Sequence, residues 1–382
     1  MFRQILFWSH LACGVVAGLV ILMMSVTGVL LTYERQILAW QEEKHFAEPD
    51  TASGTLPLDL LLERARASDP DLSLSSISVN NGPGAPIIFT AGRRGSVALN
   101  PQTGDIVETG SPGLEAFFGT IEGLHRWFNL SGDARSTGRA ITGASNLMFL
   151  FIVISGIYLW FPRLWKWGMF KARLWFRNTG GNSKARDFYW HHVFGIWSAI
   201  PLVFIVATAS VFYYPWANAL VYQIYGEEVP GRGTAPTPGN TSENAELDGK
   251  TALSLDELYS RASLWVEQHH DPWRVITLPV STPPGNPVDV TFDLGNGGQP
   301  QHRHNVLLDG VTGEILESRP FSSQSPGRRT RSIIRFLHTG EVLGPIGQTL
   351  AGLVSLASVF MVWTGLALAW RRLISPLLNR KS

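Results

Sequence analysis

Four stretches of this 382-residue chain carry no Asp, Glu, Lys or Arg over a length that can cross a bilayer: residues 11–33, 140–162, 188–226 and 342–370. About 20 apolar residues suffice for a spanning helix, whose backbone satisfies its own hydrogen bonds without water. A four-span helical membrane protein is expected. The third stretch is overlong, and Tyr213, Tyr214, Pro215 and Trp216 read as an interfacial belt that ends its helix near residue 214. The first stretch runs into Tyr33, Glu34 and Arg35 without a small-residue cleavage site, and reads as a retained anchor.

Basic residues orient the spans. Arg163, Lys166, Lys171, Arg173, Arg177, Lys184 and Arg186 crowd the link between the second and third, and Arg371, Arg372, Arg380 and Lys381 follow the fourth. Such residues stay on the cytoplasmic side, so both termini and this link are expected there. The order becomes helix 1–33, external module 34–138, helix 139–162, cytoplasmic link 163–187, helix 188–214, external linker and module 215–340, helix 341–370 and cytoplasmic tail 371–382. The large segments then face the periplasm across a bacterial inner membrane.

Composition removes several functions. The 31 basic and 30 acidic residues sum to +1, which offers no field for nucleic acid. Cys13 is the one cysteine, so internal disulfides, cysteine-held iron–sulfur clusters, cysteine zinc sites and covalently attached haem are excluded. Redox or metal chemistry must run on the ten histidines.

The external segments look like two copies of one α+β module. Leu56 to Ala65 (LPLDLLLERA) matches Leu253 to Ala262 (LSLDELYSRA), and Leu99 to Glu108 (LNPQTGDIVE) matches Leu308 to Glu317 (LDGVTGEILE). Each copy reads as an amphipathic helix, alternating strands (77–79, 87–90 and 97–99; 288–292 and 306–308) and a Thr-Gly turn before a closing strand. The spans keep the same register, because Gly104 and Gly313, Gly138 and Gly347, Gly143 and Gly352, and Gly156 and Gly365 all differ by 209. An internal duplication with a pseudo-two-fold axis along the membrane normal follows. Residues 227–250, rich in Pro, Gly, Thr and Asn, read as a linker.

Four histidines fall at related places. His10 and His191 begin the first and third spans, each with Gly four residues on and Thr seventeen residues on (Thr27, Thr208). His125 and His338 precede the second and fourth spans, at distances that differ by four residues, about one helical turn. Across a two-fold axis, equivalent imidazoles suit the two axial positions of a haem iron, so His10 with His191 and His125 with His338 would hold two b-type haems as an electron wire. The glycines after His10 and His191 would admit a flat macrocycle, or serve small-residue packing. His192 is the alternative to His191, because Trp8 aligns with Trp190 if His192 is chosen. Arg126 and Arg139 are candidates for haem propionates or ordinary interfacial charges. His302 and His304, with His269 and His270 nearby, suggest a metal or substrate site or a solvated strand face, and His45 has no partner visible in the sequence. Trp160, Trp165, Trp167, Trp175 and Trp370 read as an aromatic belt.

The Thr-Gly turns, Leu124-His125 and Leu337-His338, and Ser155-Gly156 and Thr364-Gly365 resemble the PepSY-associated transmembrane family over nearly the whole chain. Within it the sequence is most similar to the FoxB-type inner-membrane ferric-siderophore reductases. That resemblance implies two PepSY-like modules, two haem b groups on the four histidines, and reduction of a ferric hydroxamate siderophore outside the membrane. Thr208-Ala209 departs from Thr27-Gly28, and Pro201 interrupts the third span. No nucleotide-binding glycine motif is visible and the cytoplasmic link is short, so electrons must come from quinol in the membrane lipid or from a separate reductase. A single-component siderophore or iron permease is the alternative, although the four stretches hold no acidic coupling residue. A peptide-binding or protease-regulating sensor, or a haem shuttle, are further readings.

Overall fold

The computed structural model describes residues 1–44, 54–92, 95–108, 110–231, 252–270, 272–280, 282 and 286–378. His45, residues 232–250 of the linker, Arg380 and Lys381 lie outside the described residues. In chain order the elements begin α1 (Phe2–Leu31), α2 (Glu34–Glu43), α3 (Leu58–Ser68), β1 (Ser76–Asn80), β2 (Ile87–Thr90) and β3 (Ser96–Leu99). Then come α4 (Pro112–Trp127), α5 (Ala134–Trp160), α6 (Trp167–Leu174), α7 (Ser183–Tyr213), α8 (Pro215–Gln223) and α9 (Leu255–His269). The chain continues through β4 (Val275–Pro279), β5 (Val288–Asp293), β6 (Arg303–Leu308), β7 (Ile315–Pro320), α10 (Pro326–His338), α11 (Gly344–Leu373) and α12 (Ser375–Leu378).

Two units result. One comprises Met1–Glu34, Glu115–Ile224 and Ile334–Ser382, the other Arg35–Leu114 and Tyr225–Ile333. Among the described residues, four helical segments are long and apolar enough to cross a membrane: Phe2–Glu43, Ala134–Trp160, Ser183–Tyr213 and Glu341–Leu378.

In the helical unit α1 packs on α5 and α11, and α7 packs on the same two, so α1 and α7 stand diagonally. Helices in lipid gain little from burying apolar area, and close approach and polar pairs hold them together. Ser25 and Ser358 hydroxyls meet at 2.8 Å between α1 and α11, and Asn146 Nδ2 donates to the Val206 carbonyl at 3.1 Å between α5 and α7. Helix α7 stops at Tyr213 because Pro215 holds its predecessor extended, with Tyr214 at φ −118°, ψ 124°. The helix passes through Pro201 without ending. It also begins earlier than residue 188, which brings Asp187, 1% exposed, into the spanning helix, paired with Arg186 at 2.9 Å and Arg371 at 2.6 Å. The expectation of a third span free of acid therefore fails at this neutralised position. Trp165, Trp167, Trp175 and Trp370 are exposed as an aromatic belt requires, whereas Trp160 is buried among Phe161 and Phe170.

The second unit departs from two separate modules. Its strands form one antiparallel sheet in the order β3-β2-β1-β4-β5-β6-β7, joined where Ser76 to Asn80 of β1 pairs with Pro279 to Val275 of β4. Alone, each set of strands would leave an unpaired edge there, and pairing the edges removes that exposure. The junction is reciprocal. Asp256 accepts from the Leu58 and Asp59 amides at 2.7 and 3.1 Å, and Asp59 accepts from the Leu255 and Asp256 amides, both at 3.2 Å. Each carboxylate thus satisfies first-turn donors of the other helix. One apolar core runs through both, including Leu61, Ile77, Phe89, Ile276, Val290, Phe292 and Leu308. The Thr-Gly turns match: Asn100 Oδ1 accepts from Gln102 and Thr103, Asp309 Oδ1 from Val311 and Thr312, and Gly104 and Gly313 hold φ of 73° and 71°. Those angles favour glycine.

Candidate functional site

All four histidines singled out by position lie in the helical unit, and each presents Nδ1 to a hydroxyl of a neighbouring helix. His10 on α1 meets Ser155 Oγ of α5 at 2.9 Å. His191 on α7 repeats this against α11, with the Met361 carbonyl at 3.0 Å and Thr364 Oγ1 at 3.2 Å. His125 near the end of α4 meets Thr27 Oγ1 of α1 at 2.9 Å. His338, which ends α10, meets the Ile205 carbonyl at 2.8 Å and Thr208 Oγ1 at 3.4 Å on α7.

These partners set the tautomer. Ser155, Thr27, Thr208 and Thr364 each donate their one proton to a carbonyl of their own helix, namely Ile152, Met23, Phe204 and Phe360, at 3.2, 2.8, 2.7 and 2.7 Å. A hydroxyl so committed can only accept from the ring, and a carbonyl can never donate. The carbonyls put the hydrogen on Nδ1 in His191 and His338, and the committed hydroxyls favour the same tautomer in His10 and His125, with Nε2 keeping the lone pair. Nε2 makes no hydrogen bond among the described residues. A histidine oriented through Nδ1–H with a bare Nε2 is prepared to ligate a metal.

The pairing has a distance. The His125 and His338 ring centroids lie 6.4 Å apart, their planes 61° to each other. Two imidazoles on one metal at about 2.0–2.1 Å per bond place their centroids about 6 Å apart. The separation of these two side chains therefore matches that of two imidazoles on one metal ion. Among the described residues no group of three or more His, Cys, Asp or Glu side chains converges, so a three-ligand centre is not built here.

His191 and His192 occupy different surroundings. His192 Nδ1 bonds the Phe188 carbonyl of its own helix at 2.8 Å, and its ring lies 4.1 Å from the Phe188 ring. His191 alone has the cross-helix position, on Thr364, that His10 has on Ser155 209 residues earlier.

Several glycines acquire reasons. An ideal Cβ on Gly156 would stand 3.4 Å from His10 Cε1, and one on Gly365 3.2 Å from His191 Cε1, so these helices must approach the rings closely. At Gly14 a Cβ would meet nothing within 4 Å, which gives helix packing no part at that position. A Cβ on Gly28 would lie at ordinary contact, 3.5 Å from His125 Cε1, so Ala209 at the matching place is tolerated. Gly138 and Gly347 pass under the carbonyls of Trp127 and Gly340, where a side chain would collide with backbone. The four-residue mismatch is absorbed in the lead-ins. After α4 the chain turns through Phe128 and Asn129 at positive φ before α5, whereas α10 ends at His338 and turns at Gly340.

The arginines have other partners. Arg126 pairs with Glu122 at 2.5 Å on the exposed side of α4, and Arg139 donates to the Phe212 carbonyl at 2.5 Å, near the end of α7. His269, His270, His302 and His304 lie in the sheet unit. His304 is 8% exposed, not on a solvated face, because it shares strand parity with Val306 and Leu308. Its Nε2 meets Ser318 Oγ at 2.8 Å, and its ring packs 5.1 Å from Trp265 and 4.7 Å from His270. Burial, with His270 and His269 nearby, holds its pKa below the ordinary histidine value. His302 belongs to a turn before β6 and remains exposed.

Sequence reasoning missed what Ser155 and Thr364 do, and it used Thr27 and Thr208 only as markers after His10 and His191. They instead serve His125 and His338. A signal was available, since Ser155 and Thr364 are hydroxyl residues 209 apart, each preceding a register glycine. None of the curated proteins compared matches the chain. The sequence model of the PepSY-associated TM region matches residues 7–372, and the chain belongs to that family.

Proposed function

We propose that this protein is an inner-membrane reductase that passes electrons through two haem b groups to a ferric siderophore outside the membrane, releasing Fe(II) during iron uptake. The observation that carries the reading is the set of four imidazoles whose Nδ1 atoms are committed to helix hydroxyls or carbonyls, leaving Nε2 to ligate. His10 and His191 would hold the group nearer the cytoplasm, and His125 and His338 the one nearer the periplasm. In this reading both termini are cytoplasmic, the sheet unit is periplasmic and the two halves arose by duplication. Bound haem supplies one-electron chemistry at a potential tuned by its ligands and their hydrogen bonds. The chain's own part is to hold each ring plane through Ser155, Thr364, Thr27 and Thr208, so that little reorganisation accompanies a change of charge. Arg126 and Arg139 would turn from Glu122 and the α7 carbonyls to the propionates.

With His10 and His191, and His125 and His338, holding the groups, each haem would supply one-electron chemistry to substrate iron without a bond between them. A hydroxamate chelate is released on reduction because its hard oxygen donors match Fe(III) better than Fe(II). The donor would be membrane quinol or a separate reductase.

The test is a visible spectrum with pyridine-haemochrome quantification on detergent-purified protein. Two haems per chain, falling toward one in His10→Ala, His191→Ala, His125→Ala or His338→Ala and unchanged in His192→Ala, are the expected results. Colourless protein would sink the reading and return the permease to the front.

A further inference from the structure

One donor in the helical unit has no acceptor. Trp160 closes α5, is 8% exposed, and packs its ring 5.5 Å from Phe161 and 5.9 Å from Phe170. Its Nε1 is the single buried side-chain nitrogen or oxygen without a hydrogen-bond partner among the described residues. An indole N–H can only donate, and leaving it unpaired in the interior is costly, so an acceptor from a ligand is the expected complement. Two guanidiniums flank it. Arg3 Nη2 donates to the Leu159 and Phe161 carbonyls at 2.8 and 2.7 Å, and Arg173 Nη1 donates to the Trp160 carbonyl. Neither pairs with a carboxylate among the described residues. Burial and the charge of Arg3 hold the Arg173 pKa below the ordinary arginine value. Capping the last carbonyls of α5 accounts for these guanidinium bonds and leaves the indole unexplained.

The corresponding ends of α7 and α11 show what completes such a group. There Arg186 and Arg371 close on the Asp187 carboxylate at 2.9 and 2.6 Å. Asp187 stands four residues before His191, whereas Leu6 holds that place before His10, and the register partner of Trp160 is Ala369. One half thus carries its own carboxylate, and the other carries three donors and no acid. Trp160 also lies four residues after Gly156, one turn along the same side of α5, and an ideal Cβ on Gly156 would stand 3.4 Å from His10 Cε1. Arg139, near the start of α5, is about 30 Å away along that helix and belongs to its other end.

We propose that Trp160 Nε1, Arg3 and Arg173 bind a carboxylate from outside the chain, a propionate of the haem that His10 and His191 hold. This rests on the reductase reading above. The contact is ionic and hydrogen-bonded, and no covalent bond forms or breaks. A carboxylate accepts several charge-assisted hydrogen bonds at once, which suits two guanidiniums and an indole better than a neutral oxygen does.

The experiment loads the full-length protein with haem b or with its dimethyl ester, whose esterified propionates carry no charge, and follows transfer to apomyoglobin. The phase missing from His10→Ala reports this site. There haem b should leave about tenfold more slowly than the ester. Trp160→Phe, which keeps a ring between Phe161 and Phe170, should narrow that ratio. Arg3→Gln/Arg173→Gln should remove it, and Arg3→Lys/Arg173→Lys should keep most of it. The other phase should be unaltered in all three. Equal rates for haem b and ester in the unmodified protein overturn the proposal, and so does a ratio unmoved in Trp160→Phe or in the Gln variant. Where the Gln variant does not purify, Trp160→Phe decides alone. Loss of co-purified anionic phospholipid with an unmoved ratio would assign the donors to a lipid phosphate and also overturn it. Protein that purifies without haem defeats the reductase reading instead. Haemin and its dimethyl ester are then titrated into it: tighter binding of haemin, lost in Trp160→Phe, upholds the carboxylate site, and equal binding or none overturns it.

Discussion

The sheet unit and the helical unit differ in how much polar side chain they bury. The sheet closes over Leu61, Ile77, Phe89, Leu278, Phe292 and Leu308, all nearly or fully inaccessible. The helical unit buries Ser25, Thr27, Thr142, Asn146, Ser155, Thr208, Gln348, Ser358 and Thr364. Water drives the first arrangement, since apolar area removed from it lowers the free energy by about 25 cal/mol per Å². Lipid tails are as apolar as leucine, so spanning helices put small and hydroxyl residues between themselves and leave large ones outside. The consequence is functional. Hydroxyls that a helical bundle in lipid needs for contact are also the groups that orient four imidazoles.

On the proposed di-haem reading, this contrast predicts that substitutions in the helical unit act on haem binding and those in the sheet unit on stability. The largest effect should be His125→Ala, which removes one ligand of a pair and with it one of two haems by pyridine-haemochrome analysis; retention of both would break the assignment. Phe292→Ala, at a fully buried sheet position, should lower stability by about 3–5 kcal/mol in chemical denaturation and leave the haem spectrum alone. Thr27→Val should do the reverse. It takes away an acceptor 2.9 Å from His125 and should weaken haem retention about tenfold, more than Thr208→Val does, whose hydroxyl is 3.4 Å from His338. Competition with apomyoglobin measures both losses, and equal effects would contradict the geometry.

A smaller effect should appear with pH in the sheet unit. The folded His304 pKa is lowered by burial and by His270 and His269, so between that value and about 6.5 the unfolded chain binds the extra proton. Stability should rise with pH through this window and level off above it. Denaturation midpoints at pH 5.5 and 7.5 should converge in His304→Phe; an undiminished difference would place the titrating group elsewhere. The smallest change is expected from Ser358→Ala, which breaks one interhelical hydroxyl pair of about 0.6 kcal/mol and should leave both haems in place.

Much of this was legible before any coordinates. Spans show because charge is costly in hydrocarbon, and the end of α7 shows because Pro215 restricts Tyr214. The Thr-Gly turns show because positive φ selects glycine at Gly104 and Gly313. Repetition at 209 residues picked out Gly138 and Gly347, although not the backbone carbonyls that exclude a side chain there. The solvated-face alternative for His304 fails because its parity follows only from the start of β6 at Arg303. Asp187 was placed outside the membrane segment because a run without charges cannot reveal a buried ion pair to Arg371.

The sequence alone determined the four spans, the two α+β segments and the four histidines, since each rests on a local rule of hydropathy, turn chemistry or residue count. Tertiary structure decided that β1 and β4 merge the strands into one sheet, that Asp59 and Asp256 cap each other's helices, and that Thr27 serves His125 instead of His10. Those contacts join residues about 100 to 200 positions apart. Which distant groups meet depends on how whole elements pack, and no local pattern carries that information.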